Sequence, residues 1–320
     1  MNPAWRALFS FDDILGESEA LRRAVWLGHR AAESEYSTLL TGESGTGKEL
    51  FAQAIHNGST RREAPFVAIN SGTLSGELAV AELCGTEPGS FTGAERRTHA
   101  GILDTADGGT LFLDELQDMH PGAQSVLLRF LESGAFVRVG ATRPTSSNVR
   151  VISAMNVGVE EAERREMVRP DLLYRLNCLT IEIPPLRERR EDIRPIAEKC
   201  LREELHFLGA VDDGLWRALA TSPYTWPGNA RGLRNILLRT ILRSTGGVLK
   251  VDDLPTEFWR VRAEPAPPRA GTNGSAPSAE EARALKAVLR ATRDNVSETA
   301  RRLGVHRSTV YRRLARLDKD

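Results

Sequence analysis

A chain of 320 residues, 41% hydrophobic and 27% charged, is long enough for about two domains with a real buried core, and its composition is that of an ordinary globular protein. Lys plus Arg and Asp plus Glu balance at 43 each, so overall charge says nothing about nucleic acid, and no apolar run reaches the ~18 residues of a membrane span. The distribution says more: residues 280–320 carry eleven Lys/Arg against six Asp/Glu, a local +5 that points to an anionic partner for that end alone. Cys84, Cys178 and Cys200 are widely spaced and fit no metal-ligand pattern, so free buried thiols in a reducing cytosol are expected. The N-terminus lacks the apolar stretch of a secretion signal and soon meets Asp12 and Asp13.

Taken in chain order, residues 37–41, 66–70, 110–114, 149–155 and 178–183 read as buried strands, with amphipathic helical patterns such as 49–56 and 124–131 between them. Strands alternating with helices predict an α/β fold in which helices wrap a parallel sheet. After Pro184-Pro185 the strands are expected to stop; residues 190–259 are helical in pattern, broken by Gly209, Pro223 and Pro227-Gly228, and read as a separate small helical unit. Residues 263–278, rich in Pro, Ala, Gly and Ser, read as a flexible linker. The expected layout is an N-terminal stub to residue 11, an α/β subdomain over 12–185, a helical lid over 186–260, a linker over 261–279 and a small all-α domain over 280–320.

The chemistry starts at Gly42-Glu43-Ser44-Gly45-Thr46-Gly47-Lys48-Glu49, set between a strand and a helix. Glycines there let successive backbone N–H groups turn inward, and a helix N-terminus adds positive dipole where phosphates sit. Lys48 would reach the outer phosphates, whereas Glu49 stands where Ser or Thr usually coordinates magnesium. A glycine-rich loop alone is also compatible with a mere turn. The second element, Gly108-Gly109-Thr110-Leu111-Phe112-Leu113-Asp114-Glu115, is an apolar strand ending in two acids. Asp114 suits a magnesium ion and Glu115 suits polarisation of an attacking water, so ATP and Mg²⁺ are the expected ligands.

From about Phe11 to Trp259 the sequence resembles the AAA+ activators of sigma-54 RNA polymerase, the bacterial enhancer-binding proteins, whose phosphate loop also carries Glu at the position of Glu49. The resemblance implies an AAA+ core with a helical lid, ATP hydrolysis in a homo-oligomer ranging from dimer to hexameric ring, and a cytoplasmic protein without a membrane segment. It also implies residue roles. Asn70 resembles the switch asparagine that holds the catalytic glutamate, here Glu115, and Asn156 the sensor I polar residue. Arg169 and Arg175 resemble the two arginine fingers offered to a neighbouring subunit's ATP. Arg231, in Trp226-Pro227-Gly228-Asn229-Ala230-Arg231, resembles the sensor II arginine, and Ile14 joins the nucleotide-binding set. Cations around a phosphoryl transition state contribute several kcal/mol, and an arginine supplied in trans makes hydrolysis conditional on assembly.

Gly89-Ser90-Phe91-Thr92-Gly93-Ala94 matches the loop with which this family touches sigma-54, with Ser90 in place of the family's Ala and the contact residues Phe91 and Thr92 intact. Upstream, Leu83-Cys84-Gly85-Thr86 departs from the family's Leu-Phe-Gly-His. After Arg231 the family normally has Glu; Gly232 there implies a softer lid or a missing ion pair, since Gly weakens a helix by ~1 kcal/mol relative to Ala.

At the basic end, Ala300, Leu303, Val305, Val310 and Leu314 supply the apolar positions of a helix-turn-helix, with Gly304 at the turn. This resembles the Fis-type domain, implying double-stranded DNA as partner, with Arg307, Ser308, Thr309 and Arg312 as base-edge or phosphate contacts and Arg313 and Arg316 on backbone phosphates. The leading expectation is thus a DNA-tethered ATPase that remodels sigma-54 RNA polymerase holoenzyme. Two rivals are an AAA+ remodeller of another client and a DNA-binding repressor with a vestigial ATPase; the latter predicts erosion at Lys48, Asp114, Glu115 or Arg169, and all four are present. Only about ten residues precede the core, which leaves control to a separate protein, to constitutive activity, or to a longer chain of which this is a piece.

Overall fold

The computed structural model describes residues 5–74, 78–88 and 98–259. The expected sigma-54 loop with Phe91 and Thr92, the linker, and the DNA-contact residues Arg307, Ser308, Thr309, Arg312 and Arg313 lie outside the described residues.

Five parallel strands form the central sheet: β1 (Thr38–Thr41), β2 (Phe66–Asn70), β3 (Thr110–Asp114), β4 (Arg150–Met155) and β5 (Leu179–Glu182), in the order β2–β3–β4–β1–β5. Every residue of β1 and β4 is buried, as expected of strands covered on both faces. Alternate side chains feed two cores. Leu39, Leu111, Leu113 and Val151 point to one face, and Leu40, Phe112, Ile152 and Ile181 to the other. The second face is covered by α1 (Glu19–Ala32) and α2 (Lys48–Asn57) through Leu21, Ala24, Phe51 and Ile55. The first is covered by α3 (Ala79–Cys84), α4 (Ile102–Thr105), α5 (Pro121–Ser133), α6 (Val159–Arg164) and α7 (Pro170–Leu176).

Register decides where chemistry can sit. Asn70 pairs with Asp114, and Thr41 lies level with Met155 on one side and Glu182 on the other, so the strands end their polar tips on one edge. In open α/β sheets ligands bind outside the carboxyl ends, where the strand order reverses. Here β1 lies between β4 and β5, and its following loop carries the glycines.

Residues 186–259 enclose their own apolar core of Leu186, Ile193, Leu215, Leu219, Trp226, Leu233, Leu237 and Phe258, in which Tyr224, Trp226 and Phe258 pack ring against ring at 5.2 to 5.7 Å. It is built on α8 (Ile193–Lys199), α9 (Asp213–Thr221), α10 (Asn229–Arg243) and α11 (Thr256–Trp259).

The structure corrects three expectations and shows what surrounds Gly232. Strands do not stop at Pro185, because Ala210–Val211 pairs in parallel with Val248–Leu249 inside the helical part, a two-residue pairing too short to leave a periodic pattern. Cys84 and Cys200 are buried, but Cys178 is exposed, one residue before β5 begins. The presumed stub is in part packed: Leu8 and Phe9 donate their backbone N–H groups to the Gln53 side chain of α2. Gly232 sits in an intact first turn, its N–H donating to the Gly228 carbonyl at 2.8 Å. A Cβ on Gly232 would lie 2.5 Å from the Pro227 carbonyl oxygen, so the missing side chain permits a close approach of the Trp226-Pro227-Gly228 turn.

Candidate nucleotide site

The loop after β1 turns on Gly42, Gly45 and Gly47, with φ of +149°, +77° and +106°, a region closed to most side chains. At Gly45 there is a second reason: a Cβ would lie 2.2 Å from the Gly228 carbonyl of the lid. The lid grips this loop by its backbone. Asn229 Nδ2 donates to the Ser44 carbonyl at 3.0 Å, the Ala230 N–H to the Gly45 carbonyl at 3.0 Å, and Arg189 Nη2 to the Thr46 carbonyl at 2.9 Å. A trans peptide points its N–H opposite to its C=O. Three consecutive carbonyls held by the lid therefore turn the N–H groups of Gly45 and Gly47 away from it, and both glycines line a cavity of about 290 Å³.

That cavity is also lined by Ser44, Lys48, Glu49, Asp114, Glu115, Asn156 and Arg231. All seven, Ser44 of the loop apex included, come from sequence expectations about metal, water and phosphate, and the fold brings them together. Lys48 is 8% exposed; its ammonium donates to the carbonyls of Gly42 (2.7 Å) and Glu43 (3.0 Å). Burial lowers its pKa, opposed by the carboxylates of Asp114 and Glu115. Arg231 reaches the hydroxyl of Ser44 at 3.3 Å.

Glu115 follows β3 in the left-handed conformation, φ +51°, which costs an L-residue about 1–2 kcal/mol. The kink is held at both ends. The Glu115 N–H donates to Asp114 Oδ1 at 3.0 Å, and Asn70 Nδ2 donates to Glu115 Oε2 at 2.8 Å. Asn70 is itself fixed, its Oδ1 accepting from the Gly72 N–H at 2.9 Å. The expected asparagine–glutamate pair thus exists as a direct hydrogen bond between the ends of adjacent strands.

Beside this cavity lies another of about 210 Å³, lined by Ile14, Leu15, Leu50, Phe51, Ile196 and, at its charged end, the Asp13–Lys199 pair. Its walls are largely apolar, and Ile14, expected in the nucleotide-binding set, is one of them. Glu43 departs from expectation. Its carboxylate faces the lid, ion-paired with Arg187 at 2.6 Å and bonded to Asn229 Nδ2 at 3.1 Å, and it lines neither cavity. Arg169 and Arg175 also line neither. Both are exposed, Arg169 just before α7 in a two-pronged pair with Asp171, and Arg175 on α7 donating to the Leu131 carbonyl at 3.2 Å.

Sequence reasoning missed Arg187, Arg189 and Asn229. Asn229 is fully buried at φ +52° and also accepts from the Leu186 N–H at 2.7 Å. The signal was present as Pro184-Pro185-Leu186-Arg187-Glu188-Arg189, read only as a boundary. The stem beneath the 89–97 segment was equally unreadable. Gly85–Thr86 pairs antiparallel with His99–Ala100, and Arg138, from the next hairpin, bonds Asp104 at 2.7 Å and Thr145 at 3.0 Å.

A parallel α/β sheet with a glycine loop after β1, paired acids at the end of β3 and a helical lid gripping the loop defines an AAA+ nucleotide-binding module. The sequence profile described as "Sigma-54 interaction domain" matches residues 14–182, "AAA+ ATPase lid domain" matches 187–270, and "Bacterial regulatory protein, Fis family" matches 277–317. The chain belongs to the sigma-54 interaction domain family, with a Fis-family match at its end, as the resemblance implied. It is similar to the phenol regulator MopR of Acinetobacter guillouiae, 38% identical over 97% of this chain and 57% of that protein. It is 41% identical to the Nif-specific regulatory protein of Azospirillum lipoferum, over 76% of this chain and 39% of that one. The chain thus spans about half the length, or less, of these two relatives. Crystalline NtrX from Brucella abortus in complex with ATP has a similar structure, with TM-score 0.69, 32% identity, and coverage of 96% of this chain and 70% of that one.

Proposed function

We propose that the chain is the ATP-hydrolysing and DNA-tethering part of a cytoplasmic sigma-54-dependent transcriptional activator. The observation that carries this is the Asn70–Glu115 bond, 2.8 Å, which parks a catalytic-type carboxylate on the same cavity as Lys48 and Asp114. The phosphates of ATP would lie on the N–H groups of Gly45 and Gly47 with Lys48 beside them, and the base would lie against Ile14 and Leu50. The donor set fits magnesium, for Asp114 offers a carboxylate there, and the bound ion would neutralise charge developing on the phosphates. Glu115, released by Asn70, would orient and deprotonate the attacking water. Asn156 would sense the terminal phosphate, and Arg231, from the lid, would report it to the helical part.

Arg169 and Arg175 stand outside the cavity of their own chain, as residues meant for a neighbouring copy would. The reading therefore includes a homo-oligomer, up to a hexameric ring, in which each site is completed in trans. The Gly89-to-Ala94 loop, with Phe91 and Thr92, would touch sigma-54 holoenzyme, and Arg307, Ser308, Thr309, Arg312 and Arg313 would hold upstream double-stranded DNA. The test is ATP-dependent open-complex formation with sigma-54 polymerase. The chain is expected to open promoters with ATP, and Thr92→Ala is expected to keep ATPase within about twofold while losing opening. ATP hydrolysis without any opening would reject sigma-54 as the client.

A further inference from the structure

The match to the sigma-54 interaction domain begins at residue 14. Upstream of it, residues 7–10 run along α2 as a strap, and their fastening is specific. Gln53 Oε1 accepts from the N–H groups of Leu8 (2.8 Å) and Phe9 (3.3 Å), while Asn57 Nδ2 donates to the Phe9 carbonyl (2.7 Å). Gln53 Nε2 in turn donates to Glu49 Oε1 at 3.3 Å. Glu49, Gln53 and Asn57 are four residues apart, one stripe along a helix. The stripe starts at the phosphate cavity, which Glu49 lines, and ends on the peptide groups of Phe9. On either side the chain is anchored in the core, by Ala7, which is buried, and by Phe11, which stacks on His29 at 3.9 Å. Phe9 is not anchored there. The residue is left 40% exposed, and Phe9 lines both the base-sized cavity and the phosphate cavity, a position shared only with Gly47, Leu50 and Ala230 among the lining residues. Three side-chain bonds to the strap thus hold an aromatic residue at the junction of the two cavities instead of burying it.

We propose that Phe9 is a nucleotide-binding residue whose ring covers the base and ribose of an adenine nucleotide, and that Gln53 and Asn57 are positioning residues that fix this cover relative to the phosphate loop. The proposal rests on the ATP-site reading above. An aromatic ring against a purine contributes through area and offset stacking, with no demand on the phosphates.

The test compares ADP with inorganic triphosphate, which lacks base and ribose, by calorimetric titration of the full chain, alongside steady-state ATPase. Phe9→Ala is expected to weaken ADP about tenfold and raise KM for ATP by a similar factor, with kcat within twofold and triphosphate affinity unchanged. Phe9→Tyr should restore binding, and Gln53→Leu should lose severalfold on ADP alone. Should Phe9→Ala fail to fold, Phe9→Leu, which keeps the apolar bulk, decides on the same pair of ligands. ADP affinity unchanged in the variants, or equal loss for ADP and triphosphate, overturns the proposal. An unsubstituted chain that binds neither ligand overturns the ATP-site reading itself, and the proposal with it.

Discussion

The same strands end in two different ways. At their carboxyl ends stand Asp114, Glu115 and Asn156, which line the cavity, and Asn70, which holds Glu115 in place. At their amino ends stand basic side chains, of which Arg150 and His56 see almost no water and Arg61 is half-buried. Arg150 opens β4 at 2% exposure, its Nη2 donating to the Ala31 carbonyl at 2.7 Å while Nε and Nη1 meet no partner among the described residues. His56, fully buried, bonds Thr110 Oγ1 at 2.9 Å. Arg61 forks to Glu35, to the Gly109 and Asn148 carbonyls and to Asn148 Oδ1, all within 2.9 Å. Lys48 is nearly as buried as Arg150, yet it lines the cavity and faces two carboxylates. Burial of charge is thus common to both ends. What separates them is the surroundings: Lys48, besides its two backbone carbonyls, lines a cavity beside the carboxylates of Asp114 and Glu115, whereas Arg150 and Arg61 tie down backbone at the opposite end of the strands.

If that division holds, substitutions at one end should alter turnover and at the other stability, with little crossover. Glu115→Gln should show the largest effect. The amide keeps the bond to Asn70 within reach and the volume of the side chain but cannot take a proton, so ATP turnover should fall at least a hundredfold, about 3 kcal/mol or more in the barrier. ADP affinity and the urea midpoint should stay near those of the unsubstituted chain, measured by calorimetry and circular dichroism. Brisk hydrolysis by this variant would remove Glu115 from the water-activating role.

Asn229→Ala tests the junction where the lid meets the carboxyl end. It removes bonds to Leu186, Glu43 and Ser44 and places Ala at φ +52°, for a combined loss of about 3 kcal/mol in urea denaturation. KM for ATP should rise as the loop loses its grip. Unchanged stability would mean that the lid holds the loop by other means.

How much of this was legible follows from the reach of each bond. The glycine loop, Lys48 and the Asp114-Glu115 pair are local patterns, and the sequence displays them. The Asn70–Glu115 bond needs only two polar residues at the ends of parallel strands, and resemblance supplied the pairing. Asn229, Arg187 and Arg189 act on the loop across 143 or more residues, and two of them grip backbone carbonyls. A bond to a carbonyl imposes no residue type on its partner, so no pattern at positions 44–46 betrays it. Phe9 was hidden for a similar reason, since its peptide, not its ring, is what α2 recognises. Gly232 shows the converse: a departure from family habit read as weakness is where the Pro227 carbonyl comes close.

Arg61→Ala moves to the amino end. It removes a fork that ties Glu35 to the turns before β3 and β4, and leaves the Asn148 and Gly109 carbonyls without that donor. Because Glu35 is more than half exposed, the ion pair itself counts for little, and most of an expected loss of about 2 kcal/mol comes from the carbonyls. Turnover at saturating ATP should stay within twofold. A fall in kcat beyond that would show that the two ends of the sheet are coupled.

The smallest effect is read through pH. Burial, followed by the nearby charge of Arg150 and then Arg61, pushes the His56 pKa from 6.5 down to about 4. The unfolded chain therefore takes up a proton near pH 6.5 while the folded chain does not until about pH 4. The stability that His56 contributes as a neutral ring is fully present above pH 6.5 and drains away as pH falls towards 4. Between pH 6.5 and 5 the loss should be about 1–2 kcal/mol in urea denaturation, at ~1.36 kcal/mol per unit of pH. His56→Gln should be less stable at pH 7 yet flatter across this window, because Gln keeps a polar contact for Thr110 and has no proton to gain. Carboxylates such as Asp13 and Asp107, whose pKa values are lowered by backbone hydrogen bonds, titrate below the window and add nothing to the difference between the two proteins. If both proteins lose stability with the same slope between pH 6.5 and 5, the buried histidine is not the titrating group, and the amino end of the sheet owes its order to Arg61 and Arg150 alone.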